Sequence, residues 1–106
     1  MEITRIKLEK VSGFGIREYP SMVVFMENDS AADRDNLLSD VCTAYEAIIG
    51  EELDTEDEKM TYWGRGFLTL DLSQPQNSFQ DRAQKLEFIA EDLKLLYPSA
   101  RFESSF

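Results

Sequence analysis

Apolar residues recur with two different periods along this chain, and the order in which the periods alternate limits the folds open to it. Residues 3–10 alternate, with Ile6 and Leu8 on one side and Arg5, Lys7 and Glu9 on the other, the period of a strand with one wetted face. Met22-Val23-Val24-Phe25-Met26 has no polar residue among its apolar ones and reads as a strand buried on both faces. Between them, Ser12-Gly13-Phe14-Gly15 and Tyr19-Pro20 mark a turn or irregular stretch. The period then changes: Leu37, Leu38, Val41, Tyr45, Ile48 and Ile49 form one stripe at helical spacing. Ser30-x-x-Asp33 ahead of the stripe has capping-box spacing, which places a hydroxyl against an orphan amide and a carboxylate at the positive end of the helix dipole. Gly50 behind it can take the left-handed conformation that ends a helix.

Residues 51–59 (EELDTEDEK) carry almost no apolar side chain and predict a loop, mobile because its like charges repel. Strand chemistry returns from Met60 to Leu72, where Met60, Tyr62, Leu68, Leu70 and Leu72 share one parity and Thr61, Trp63, Phe67, Thr69 and Asp71 the other. Gly64-Arg65-Gly66 interrupts this stretch as a bulge or a tight hairpin, and its thirteen residues favour the hairpin because so long a strand is unusual. After Ser73-Gln74-Pro75-Gln76-Asn77, Ser78-x-x-Asp81 repeats the cap spacing. Phe79, Ala83, Leu86, Ile89, Ala90, Leu93, Leu96 and Tyr97 give a second helix its apolar face, and Pro98 ends it. Arg101-Phe102-Glu103 suffices for a short last strand.

The order is β-β-α-β-(β)-α-β over a single domain, residues 1–106. Two amphipathic helices and one sheet predict an α+β two-layer sandwich, a mixed or antiparallel sheet of four to five strands with both helices on one face. From Met22 onward the order is ferredoxin-like, preceded by an extra strand. That arrangement hosts many unrelated functions and names no activity.

Charge is less evenly distributed than apolar content. From Glu27 to Glu58 there are twelve carboxylates and one base, Arg34, in a chain whose net charge is −10. The remainder is therefore close to neutral, and the whole imbalance lies in one segment. A field concentrated in this way steers basic partners and repels nucleic acid and anionic membrane. The longest apolar run, Met22 to Met26, falls far short of the ~20 residues of a membrane span. A lone Cys42 cannot form an intramolecular disulfide, and the chain reads as intracellular, soluble and cytoplasmic.

Several chemistries lack their residues. There is no His, which removes His-based triads and Cys–His pairs, and Cys42 sits beside the apolar stripe as a small hydrophobe. Asp54-x-Glu56-x-Glu58 lacks the central Gly and distal Glu of a calcium loop and reads as a solvated acidic run, so no metal site is expected. Neither Gly64-Arg65-Gly66 nor Gly13-x-Gly15 has phosphate-loop spacing. Arg5, Lys7 and Lys10 with Trp63, Arg65 and Phe67 are a thin basis for nucleic-acid contact in so acidic a chain. No catalytic residue and no cofactor is assigned.

What remains is protein binding without catalysis. The expectation is a small acidic inhibitor or neutraliser, of the immunity-protein or antitoxin type, that occludes a basic and nucleic-acid-processing protein. Its contact residues would be Asp33, Asp35, Asp40, Glu46, Glu51, Glu52, Asp54, Glu56, Asp57 and Glu58, with Tyr45, Tyr62 and Trp63 as aromatic anchors. A phage-type inhibitor that mimics nucleic-acid charge follows the same logic. The alternative is a regulatory or interaction domain. Phe88 and Leu95 lie about 180–200° around the second helix from Leu86, so they face water or another chain, as an interface for self-association (a homodimer) or for a partner.

Overall fold

A computed structural model describes residues 2–13, 16–73 and 78–106. The elements follow as β1 (Ile3–Gly13), β2 (Ile16–Met26), α1 (Ala31–Ile49), β3 (Thr61–Gly64), β4 (Phe67–Asp71), α2 (Phe79–Leu96) and β5 (Arg101–Ser104). The strands form one sheet in the order β3-β4-β2-β1-β5, with β1 and β5 parallel and the other neighbours antiparallel. The α+β sandwich expected from the two periods is the fold observed.

Cross-strand register converts the period of two into a core. Ile6 and Leu8 lie opposite Val24 and Met22, which lie opposite Leu68 and Leu70, which in turn face Trp63 and Thr61. These strand residues share one hydrophobic core with Leu37 and Val41 of α1 and Leu86, Ile89 and Leu93 of α2, so both helices cover the same face. The other parity, including Arg5, Lys7, Glu9, Val23, Phe25, Phe67, Thr69 and Asp71, makes a second face that neither helix covers. Val23 is buried yet stands outside the core cluster, flanked in register by Lys7 and Thr69. A bulge at Thr4, where register steps from Ile3↔Met26 to Arg5↔Phe25, resets the parity so that both Ile3 and Ile6 reach the core.

The hairpin is confirmed, with Gly64 opposite Phe67 and Arg65-Gly66 as its turn. Only Gly66 has positive φ there (80°), as the third position of a type II turn requires. Turning the chain regroups the parities: Trp63 shares a face with Leu68, whereas Tyr62 joins Thr69 on the uncovered face. Both serine caps form, Ser30 Oγ accepting from the Asp33 amide at 3.1 Å and Ser78 Oγ from the Asp81 amide at 3.2 Å. Gly50, at φ 86°, closes α1 through its amide to the Glu46 carbonyl.

Two expectations need correction. Tyr19-Pro20 is not a turn but lies inside β2, which starts at Ile16 rather than Met22. A strand residue aims its N and O to the same side, and the Pro20 carbonyl accepts from Leu72 N at 3.1 Å. The missing N–H therefore falls on the β4 side, just past the end of β4, and the ladder to β1 is intact. Second, Leu96 is not a core residue; it is 58% exposed in the last turn of α2. From β2 onward, β2-α1-β3-β4-α2-β5 keeps the ferredoxin-like chain order, and the extra strand β1 is inserted within the sheet. β1 pairs with β2 from Ile3↔Met26 to Gly13↔Ile16, occupies that side of β2, and leaves β5 to pair with β1. Phe14-Gly15 and Gln74–Asn77, both read as punctuation, lie outside the described residues.

The face assignment is checked by neighbouring substitutions. Val24→Thr puts a hydroxyl into the apolar core and should cost about 1–3 kcal/mol in urea unfolding. Val23→Thr, next to Thr69 on the uncovered face, should cost less than half as much. Equal losses would contradict the assignment.

Candidate functional site

The acidic residues are distributed along α1 and through the loop to β3. Burial of Leu37, Val41, Ala44 and Tyr45 fixes the rotation of α1, and Asp35 and Glu46 consequently face solvent. Asp33 sits in the first turn, where a carboxylate suits the helix dipole. Asp40 lies on the flank toward α2 and accepts the Tyr97 hydroxyl. Burial, and then Asp40, push the Tyr97 hydroxyl well above its ordinary pKa.

At the other end of α1 the charge is unrelieved. The last turn has no basic residue, although a cation is what the negative end of a helix dipole favours. Glu46, Glu51, Glu52, Asp54, Glu56 and Glu58 are all exposed at or beyond this end, and Asp57 is half-buried. The loop is nevertheless folded. Leu53 drops into the core, only 4% exposed. The Asp54 and Asp57 carboxylates accept from the amides of Glu56 (3.1 Å) and Lys59 (2.9 Å), and Thr61 Oγ1 donates to the Thr55 carbonyl (3.2 Å). Glu52 to Glu56 line a shallow recess of about 360 Å³.

Arg34, the one base of the segment, is already engaged. Its Nε and Nη2 grip Asp29, Nη2 also reaches the Gly64 carbonyl at 3.3 Å, and the guanidinium lies 4.9 Å from the centre of the Trp63 ring. Asp29 Oδ2 also accepts from Gly66 N at 3.0 Å. These donors, Arg34 first and the Gly66 amide second, hold the Asp29 carboxyl down at about 2. Sequence alone showed Arg34 as a minority charge; nothing local signalled that its partners include a turn thirty residues away.

The other ion pairs lie along β1 and its neighbours: Arg5–Glu103 at 2.7 Å, Lys7–Glu9 at 3.3 Å, Lys10–Glu18 at 3.5 Å and Arg101–Glu103 at 3.8 Å. Among the described residues, no ion pair uses a carboxylate between Asp35 and Glu58.

The expected aromatic anchors are not gathered with these carboxylates. Tyr45 is 6% exposed and belongs to the core, which corrects its assignment as a surface contact: it sits on the apolar stripe that the sheet buries. Trp63 is half-buried under Arg34, and Tyr62 is exposed on the uncovered sheet face. Phe88 and Leu95 are exposed, at 44% and 81%.

Other chemistry finds little support in the geometry. Among the described residues no three Asp, Glu or Cys side chains come together in a way that could hold a metal ion, Asp54, Glu56 and Glu58 included. Burial, then Glu46 and Glu52, push the Cys42 thiol up, away from the reactive thiolate. No described helix is long and apolar enough to cross a membrane. On the uncovered face, buried Ser21 donates to Asp71 Oδ1 at 2.5 Å. Burial raises the Asp71 pKa, the Ser21 bond opposes the rise, and Glu9 adds to it. Comparison with family models, with curated proteins and with solved structures gives no match.

Asp29 and Asp71 should respond oppositely to pH. The Asp29 pKa is depressed, so its stabilisation is present above the unfolded value of about 3.9 and is lost as pH falls toward 2. Asp29→Asn should lower the melting temperature at pH 7 and lose its effect in strong acid. The Asp71 pKa is raised, so ionisation weakens the fold as pH climbs above the unfolded value. Asp71→Asn, which can still accept from Ser21, should raise the melting temperature at pH 7 and have no benefit below about pH 3.9. Thermal melts from pH 2 to 8 check both, and shifts of the same sign at pH 7 would contradict the pair.

Proposed function

We propose that this chain is a small acidic protein-binding inhibitor, of the immunity-protein or antitoxin type, that neutralises a basic protein by occlusion. Carboxylates of Asp35, Glu46 and the 51–58 loop pair with Lys and Arg side chains that the target uses to hold phosphates, which makes a nucleic-acid-processing enzyme the fitting target. One observation carries the reading: every described ion pair lies outside this surface, and the negative end of the α1 dipole carries further carboxylates with no base in its last turn. A surface needed only for solubility would intersperse both signs. Like charges held together in the free chain are relieved when a basic partner arrives, and until then their field accelerates its approach.

With Tyr45 in the core and Tyr62 on the far face, association rests on charge more than on an aromatic hot spot near the loop. Binding should therefore be fast and strongly salt-dependent. The experiment is affinity capture with two baits, the wild-type chain and a variant in which Glu51, Glu52, Asp54, Glu56, Asp57 and Glu58 become Gln or Asn. A basic protein retained by the wild type alone is the expected result. Its association rate should fall at least about tenfold between ~0.05 and ~0.5 M salt. Equal capture by both baits, or a rate flat across that range, would overturn the proposal.

A further inference from the structure

A chain carrying −10 associates with its own copy most readily through a face that offers bases as well as carboxylates. Along α2, Arg82, Lys85 and Lys94 stand among Asp81, Glu87, Glu91 and Asp92, whereas α1 sets Arg34 alone against four carboxylates. On the outer face of α2, Lys85 stands among Asp81, Glu91 and Asp92. Phe88 and Leu95 stand exposed on that outer face, and Phe88 borders a recess of about 370 Å³ lined also by Ala47, Ile48, Asp81, Gln84 and Lys85.

We propose that α2 forms a homodimer interface, packing antiparallel against α2 of a second copy across a two-fold axis at Phe88. The spacing of charges around Phe88 carries this. At about 100° per residue, Lys85 and Asp92 lie about 60° and 40° to one side of Phe88, and Gln84 and Glu91 lie about 40° and 60° to the other. A two-fold axis perpendicular to the helices at Phe88 keeps each side on its own side and exchanges the two directions along the helix. Lys85, about 4.5 Å before Phe88, then meets Asp92 of the second copy, about 6 Å along on the same side. Gln84 meets Glu91 of the second copy in the same manner. Symmetry makes each contact twice, and the rings of the two Phe88 side chains pack at the centre, over the recess beside them. No described residue occupies Lys85 within its own chain: it makes no ion pair and no side-chain hydrogen bond among them. Shifting the axis to the midpoint of Phe88 and Leu95 would bring Glu91 against Glu91 of the second copy on one side and Asp92 against its own counterpart on the other, so charge selects the register.

This interface is separate from the acidic surface and does not depend on the function proposed for it. The test is sedimentation equilibrium of the full chain from ~5 μM to ~1 mM in ~0.15 M salt, with thermal melts confirming that each variant folds. A concentration-dependent dimer is expected, weakened at least about tenfold by Phe88→Ser, an exposed position whose loss leaves the core intact. Lys85→Glu alone and Asp92→Lys alone should each weaken it about as much, and the two together should restore it. A monomer over the whole range, a dimer indifferent to Phe88→Ser, or charge reversals that fail to rescue one another would each overturn the proposal.

Discussion

The Arg34 guanidinium joins two segments of the chain about thirty residues apart. It grips Asp29 in the loop that leaves β2, grows from the first turn of α1, lies over Trp63 of β3 and reaches the Gly64 carbonyl at the β3–β4 turn. Asp29 completes the ring by accepting from Gly66 N, and the Gly66 carbonyl accepts from Met26 N at the end of β2. A planar fork of donors suits this task, because a bidentate grip fixes orientation as well as distance. The start of α1 and the outer hairpin of the sheet are thereby held to the same point. The same contact engages the only base of the acidic segment, so what stabilises the fold also leaves the carboxylates from Asp35 to Glu58 without an ion pair among the described residues.

Charge is partitioned by architecture. β1 and its neighbours carry Arg5, Lys7, Lys10 and Arg101, and each meets a glutamate on the same or an adjacent strand. Arg82 and Lys94 donate to backbone carbonyls at the ends of α2. These bases thus serve locally, whereas Asp35, Asp40, Glu46 and the carboxylates of residues 51–58 meet, among the described residues, a hydroxyl or an amide at most. Exposed ion pairs contribute little to stability individually. Their consequence here is to leave the β1 face close to neutral while the carboxylates from Asp35 to Glu58 stay unpaired with a base among the described residues.

Much of this was legible in the residues. Ser30, Gly50 and Ser78 each act within a few residues of themselves, and the helices they delimit appear where the spacing puts them. The alternation of Ile6 and Leu8 with Arg5, Lys7 and Glu9 is reproduced in the two sheet faces, and the hairpin at Gly64–Gly66 follows from strand length. Pro20 was misleading because a proline ordinarily interrupts a strand; here its missing donor falls where β4 has already ended. Tyr45 was misread because an aromatic with a polar tip suits a surface as well as a core, and only the packing of α1 on the sheet decides between them. Among the site residues, the exposure of Phe88 and Leu95 followed from a helical wheel, but the separation of Tyr62 from the carboxylates depends on a turn that reverses parity.

The number and order of the elements, the helix caps, the inward side of each helix and the sign and location of the excess charge could be read from the residues, because these rest on neighbours a few positions apart. Tertiary structure decided the rest. It inserted β1 between β2 and β5, placed Leu53 of an otherwise charged loop in the core, and sent Arg34 to a turn thirty residues away. Such choices depend on which distant segments share a ladder or a cavity, and a local pattern carries no record of its partner.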